Sequence, residues 1–318
     1  MTEGVAEGET SPALWGMHLA LMATMVIWAL NVTLIKWLVT VMDAMQSATL
    51  RMGFAALTLL VLVCLSRQRL PLFRGRVLLL ACCSALLMVY ANQLLFVSAM
   101  TRTTASNAAL LLALNPLFNG VMEALFFRKR LRPHYLLGLA VTLSGVCLVV
   151  FNNSQASWGA PALGDLLVLG SMLAFALGVA ILQFLSQRNV EHPGQVSLNT
   201  FIYTVGSLAL LLHISLVGDT PVSAIAEQPG QVWLILAFSG AGVTALGAIA
   251  WGRGVATIGA GRAAVYMSWV PVLGVAFGAL VLKEPLTVWH FIAMLAVILG
   301  TALCNLGSIR LRGRTVAG

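Results

Sequence analysis

Residues 105–132 read ASNAALLLALNPLFNGVMEALFFRKRLR, and residues 260–287 read AGRAAVYMSWVPVLGVAFGALVLKEPLT. Laid over one another without a gap, they align Pro116 with Pro271, Leu125 with Leu280 and Leu131 with Leu286, and Ala108 and Ala109 with Ala263 and Ala264. The same register carried to 151 and 306 places Gly145 over Gly300. Each stretch holds an apolar run long enough to cross a bilayer, which takes about 20 residues. Each then ends in a charged turn, RKRLR in the first copy and KEPLT in the second. The chain therefore reads as a duplicated membrane unit.

Apolar runs bounded by charges, Pro or Gly fall at 17–39, 46–65, 77–99, 103–126, 134–151, 164–186, 196–217, 232–256, 260–282 and 288–309. Ten helices result, five per copy. An odd number of crossings leaves the second copy upside down relative to the first, the inverted-repeat plan of many secondary transporters. The expected organisation is a disordered tail at 1–16, a first repeat at 17–151, an external linker at 152–163, a second repeat at 164–309 and a basic tail at 310–318.

Charge supports the count, because cytoplasmic loops carry the Lys and Arg excess. Arg67, Arg69, Arg74 and Arg76 follow span 2, the RKRLR run follows span 4, Arg188 follows span 6, Arg253 and Arg262 flank the turn between spans 8 and 9, and Arg310, Arg312 and Arg314 close the chain. That places 14 of the 18 basic residues on one side, with only Lys36, Arg51, Arg102 and Lys283 elsewhere. Both termini are expected in the cytoplasm of a bacterial inner-membrane protein. The net charge of +8 is thus explained by topology and implies no nucleic-acid partner. A small-molecule substrate and membrane lipid are the expected partners; a monomer would suffice, and the sequence leaves the oligomeric state open.

Hydrophobic residues make up 60% of the chain and charged residues 9%, against roughly a quarter charged in soluble domains, so any function must sit among the helices. Cys64, Cys82, Cys83, Cys147 and Cys304 all lie in apolar runs without metal-type spacing and read as packing residues; neither metal nor cofactor is expected. No Gly-x-Ser-x-Gly elbow, His-Glu-x-x-His pair or phosphate loop occurs, which argues against an intramembrane enzyme or an ATP-driven pump.

Pro116 and Pro271 lie near the middle of equivalent spans. A proline removes a backbone donor, and carbonyls freed at that depth persist only beside protein or a water-lined cavity, so the pair points to a chamber between the halves. No Asp or Glu lies near a span centre; Glu123, close to one end of span 4, is expected to reach toward Arg128 or Arg130. The candidate lining is aromatic and neutral: Trp28 and Asn31 on span 1, Tyr90 and Gln93 on span 3, Asn115 on span 4, and Tyr266, Ser268 and Trp269 on span 9. Aromatic walls and amides suit zwitterionic or aromatic solutes. The same polar residues could instead tie helices together.

Trp28-Ala29-Leu30-Asn31 followed by Lys36, Asn115-Pro116, Gly164-Asp165-Leu166-Leu167 and Lys283-Glu284-Pro285-Leu286-Thr287, in this order over residues 17–309, resemble the EamA-type family of the drug/metabolite transporter superfamily. The resemblance implies a ten-helix carrier, mostly an exporter of amino acids, metabolites or toxic organic compounds. Within the family the chain looks most like the YddG-type exporters of aromatic amino acids. One departure is that Arg128-Lys129 stands where the second copy has Lys283-Glu284. The expected function is export of amino acids and related metabolites by alternating access without strict proton coupling. Alternatives are multidrug or organic-cation efflux, a channel, or an intramembrane enzyme.

Overall fold

The computed structural model describes residues 12–128, 133–151, 163–186, 194–217 and 223–310. The described chain forms α1 (Pro12–Val41), α2 (Ala44–Leu65), α3 (Gly75–Met100), α4 (Ala105–Phe127), α5 (Pro133–Phe151), α6 (Leu163–Ser186), α7 (Gln195–Val217), α8 (Gly230–Ile258), α9 (260–282) and α10 (Val288–Arg310). A one-turn helix, Ser223–Ala226, precedes α8. Among the described residues, nine helices are long and apolar enough to cross a membrane; in the last, α10, the apolar stretch is Val288–Cys304. The fold is all-α, ten membrane helices in two inverted repeats. Helix α1 begins at Pro12, inside the segment expected to be a tail; proline is well suited to a first helical turn, where its missing N–H has no intrahelical partner. The remainder of that tail, Lys129–Arg132, residues 152–162, Arg188 and the tail from 311 lie outside the described residues.

Helix packing repeats itself under exchange of the halves. Helices α1 and α9 pack together as α6 and α4 do, α3 against α6 matches α8 against α1, and α2 against α8 matches α7 against α3. Pairs α2–α7, α4–α9 and α5–α10 join each helix to its own counterpart or sit on the pseudo-axis. The α5–α10 seam shows the symmetry at atomic scale: a Cβ on Gly145 would strike Ala293 and Ala296, while one on Gly300 would strike Thr142 and Gly138, the residue aligned with Ala293. Small residues let these backbones approach closely, as membrane helices require.

The irregular segments also recur in register. Leu86–Ala91 in α3 and Phe238–Leu246 in α8 are π-helical, and they overlap when the repeats are aligned. In α4 a 3-10 turn occupies Leu112–Leu114, and α9 breaks at Ser268. Both breaks have one cause. Proline at 116 or 271 offers no N–H to the carbonyl four residues before it, Leu112 or Met267, and the helix loosens there. Arg128 and Lys283, also aligned, end α4 and α9 in the left-handed region at φ 52° and 55°.

Symmetry of the backbone does not extend to the surroundings of the two prolines. Pro271 is buried, whereas Pro116 is exposed. Pro116 borders a hollow of about 190 Å³ between α4, α5 and α10, lined also by Ala113, Tyr135, Leu139, Thr142 and Cys304. Its carbonyl accepts a hydrogen bond from the Tyr135 hydroxyl at 2.6 Å. The two prolines thus mark equivalent breaks in their helices but differ in their surroundings.

Candidate functional site

Between the repeats lies a polar network built around a residue that the sequence left among the exceptions. Arg51 sits seven residues into α2, about 10 Å below its start at 1.5 Å per residue, and is 2% exposed. Its Nε donates to Ser239 Oγ at 2.7 Å, and Ser239 Oγ donates to Asn31 Oδ1 at 2.5 Å. On the other side, Arg51 Nη1 faces Gln93 Oε1 at 3.5 Å, Gln93 Nε2 donates to Asn92 Oδ1 at 3.2 Å, and Asn92 Nδ2 donates to the Ser171 carbonyl at 3.0 Å. The chain of bonds thus links α1, α8, α2, α3 and α6. An arginine within a membrane helix is costly, up to about 2.5–3.5 kcal/mol at the centre on insertion scales, so its retention needs a reason. The expectation of an uncharged interior is corrected accordingly.

The two π segments position this network. Ser239 belongs to the π segment of α8, and Asn92 and Gln93 follow directly on that of α3. A π turn shifts the hydrogen-bond ladder by one residue and frees carbonyls locally. Thr244 Oγ1 donates to the Ser239 carbonyl at 2.8 Å, and Trp28 Nε1 donates to the Val243 carbonyl at 3.1 Å. Trp28 also lies against Trp251, ring centroids 5.9 Å apart, and a Cβ on Gly247 would meet its indole nitrogen. The absence of a side chain at Gly247 is what lets the indole reach the bulge.

The remaining expected residues take other places. Tyr90 pairs its hydroxyl with His213 Nδ1 at 2.9 Å between α3 and α7. Tyr266 pairs with His18 Nδ1 at 2.6 Å between α9 and α1, below the aromatic pair formed by Trp28 and Trp251. Asn115 is half-buried at the α4 break; Ser268 donates back to the Val265 carbonyl at the α9 break; Trp269 is 48% exposed. The structure thus joins Asn31 and Gln93 through Arg51, with Trp28 alongside and Tyr266 packed in the same cluster as Trp28, and leaves the others at separate helix contacts. Glu123 is half-buried on α4, and Arg130 lies outside the described residues.

A second polar cluster closes one end of the bundle, where α1, α3 and α9 end and α4, α6 and α10 begin. Lys36 Nζ donates to the carbonyls of Met100 and Thr103, each at 2.7 Å, placing a cation on the carbonyl end of α3. Glu284 accepts from the amides of Ala105 and Ser106 at 2.7 and 2.9 Å and from Ser106 Oγ at 2.6 Å, placing an anion on the amide end of α4. Asp165, fully buried in the first turn of α6, accepts from Thr103 Oγ1 at 2.5 Å. His290 joins α10: the Thr287 amide donates to Nδ1 at 3.1 Å, so the ring proton is on Nε2, which donates to Asn107 Oδ1 at 3.1 Å. Gly274 and Gly278 let α9 close on α4, since a Cβ at either would fall 2.5 Å from Ala109 Cβ or Ser106 Oγ.

Sequence reading missed Arg51, Ser239 and Asn92 as site residues. For Arg51 the signal was available: an ionisable residue inside an apolar span marks function by default. Ser239 carries no such signal, because a π bulge leaves composition unchanged. All five cysteines are free thiols, and no cluster of metal-ligating residues occurs among the described residues.

Two inverted five-helix units with broken helices and a buried polar network define the chain as a membrane transporter of the inverted-repeat class. The EamA-like transporter family matches residues 14–151 and 162–306, once per repeat, and the chain belongs to that family, as its motifs led us to expect. YyaM of Bacillus subtilis (strain 168), an uncharacterized transporter, is 25% identical over 300 residues, covering 93% of this chain and 95% of its own. YetK of the same organism, also an uncharacterized transporter, is 23% identical over 290 residues, covering 90% and 85%. The uncharacterized protein PA1977 of Pseudomonas aeruginosa is 31% identical over 264 residues, covering 83% and 85%. A solved crystal structure superposes with a TM-score of 0.65 at 17% identity, covering 93% of this chain and 99% of that one, which shows the shared fold.

Proposed function

We propose that this transporter exports small organic molecules across a bacterial inner membrane, above all aromatic or neutral amino acids and related metabolites, by alternating access and without strict proton coupling. Both termini face the cytoplasm in this reading. The observation that carries it is the pairing of one closed bundle end with a polar network at the aligned π segments. Alternating access needs a site between two units and a gate that can part on either side of it. The end held by Lys36, Asp165, Glu284 and His290 supplies one gate. Trp28, Asn31 and Gln93, with Tyr266 packed in the same cluster as Trp28, supply aromatic and amide groups suited to a zwitterion.

The acidic groups at the closed end are engaged with Thr103 and with the start of α4, so none stands in the network as a proton carrier that competes with substrate. Uptake of radiolabelled phenylalanine into proteoliposomes tests the reading directly. Saturable flux of similar size with and without an imposed pH gradient is expected. Strict dependence on the gradient would overturn the uncoupled mechanism, and non-saturating flux at channel rates would overturn alternating access.

A further inference from the structure

We propose that Arg51 is the carboxylate-binding residue of the transport path, so that transported substrates must carry an anionic group and organic cations are excluded. The proposal rests on the transport reading above and adds a residue and a chemical requirement to it.

A guanidinium has five N–H donors and no acceptor, and in a buried place each donor calls for a partner. Arg51 uses Nε on Ser239 at 2.7 Å. Its contact from Nη1 to Gln93 is 3.5 Å long, at the limit of a hydrogen bond, and Tyr203 on α7 lies close enough to interact with it electrostatically. The paired Nη face is the face that binds a carboxylate through two parallel bonds.

No carboxylate of the described residues reaches it. Asp43 caps the start of α2, Asp165 is held by Thr103, and Glu284 is held by the start of α4. Glu123 lies on α4, where it acts on Tyr135, and Glu227 lies in the connection before α8, while the group acting electrostatically on Arg51 is Tyr203. Among the described residues, the partners of this buried cation are thus the neutral side chains of Ser239, Gln93 and Tyr203. A purely structural role would be filled more cheaply by a neutral donor, since Ser239 and Gln93 need only one hydrogen bond each.

Its placement also fits a substrate site. Arg51 bridges Ser239 in the α8 π segment and Gln93 beside the α3 π segment, the two related irregularities of the repeats. Near it, Trp28 and Trp251 form an aromatic pair beside the same π segment of α8, and Asn31 and Gln93 present amide groups that can meet an ammonium. A substrate carboxylate would replace the long Gln93 contact and leave the Ser239 bond as the anchor of the guanidinium.

The test uses purified full-length protein and four probes of one shape: phenylalanine, 3-phenylpropanoate, phenylalaninamide and 2-phenylethylamine. Each is measured as a competitor of uptake in proteoliposomes and, separately, for its ability to raise the thermal unfolding temperature of the protein in detergent. The two carboxylates are expected to compete and to stabilise at least tenfold more effectively than the amide and the amine. Arg51→Gln is expected to raise KM at least tenfold and to erase the carboxylate preference, and Arg51→Lys to restore part of it; size-exclusion profiles check that both variants fold. Equal potency of phenylalaninamide and phenylalanine, or wild-type KM and selectivity in Arg51→Gln, would overturn the proposal while leaving a working transporter. Carboxylate-selective stabilisation without saturable uptake of any probe would instead sink the transport reading and keep the Arg51 site. If neither variant folds, the probe series on the wild type decides alone.

Discussion

The start of α4 and the start of α9 occupy related positions in the two repeats, yet among the described residues only the first is fastened by side chains. At α4, Thr104 caps the helix by accepting from the Asn107 amide at 3.1 Å, and Glu284 covers the next two amides. At α9 the aligned residue is Gly259, at φ 87°, and no side chain caps the helix. The residue aligned with Glu284 is Lys129, opposite in charge and outside the described residues. The two repeats start these helices on one backbone design, and side chains fasten the start of α4. The backbone was kept; the charges were not.

The sharpest way to break that comparison is to give the fastened end the charge of the aligned position. Glu284→Lys removes the acceptor of three hydrogen bonds and places a second cation near Lys36, so a loss of about 2–3 kcal/mol is expected. Thermal unfolding in detergent measures the loss, and a cysteine introduced at Ser106 should become more reactive toward a membrane-impermeant maleimide. Unchanged stability and reactivity would show that Glu284 does not fasten this end of the bundle.

A smaller effect is expected where α9 closes on α4. Gly274→Ala forces a Cβ against Ala109, and overpacking of this kind costs about 1–3 kcal/mol. The aligned position is Asn119, which already carries a side chain, so Asn119→Ala should change stability by under about 1 kcal/mol. Equal losses at both sites in the same unfolding assay would mean that the two repeats are packed alike. The smallest effect belongs to the cap. Thr104→Ala should cost about 1 kcal/mol and Thr104→Gly, which copies Gly259, only a few tenths. An inverted order in chemical-denaturant titrations would remove the cap from the account.

Much of the fold was legible because its causes are local. A run of about 20 apolar residues has few alternatives to a spanning helix, and the aligned prolines fix where α4 and α9 must loosen. The site was legible only in part. Trp28, Asn31 and Gln93 could be picked as polar faces of single helices, but Arg51 was counted with the misplaced loop charges, although it lies seven residues inside α2. The π segments left no trace in the sequence pattern, since moving a backbone bond by one residue changes neither composition nor hydropathy.

By itself the sequence determined ten spans, their duplication and their antiparallel halves, together with membership of a transporter family, because apolar length, charge asymmetry and repeat register are properties of the chain. Only the tertiary structure decided which polar residues meet: Arg51 with Ser239 across 188 positions, and Ala105 with Glu284 across 179. Such partners are selected by helix packing and by the cost of leaving a polar group unpaired away from water, and that cost can be settled only when the helices have assembled.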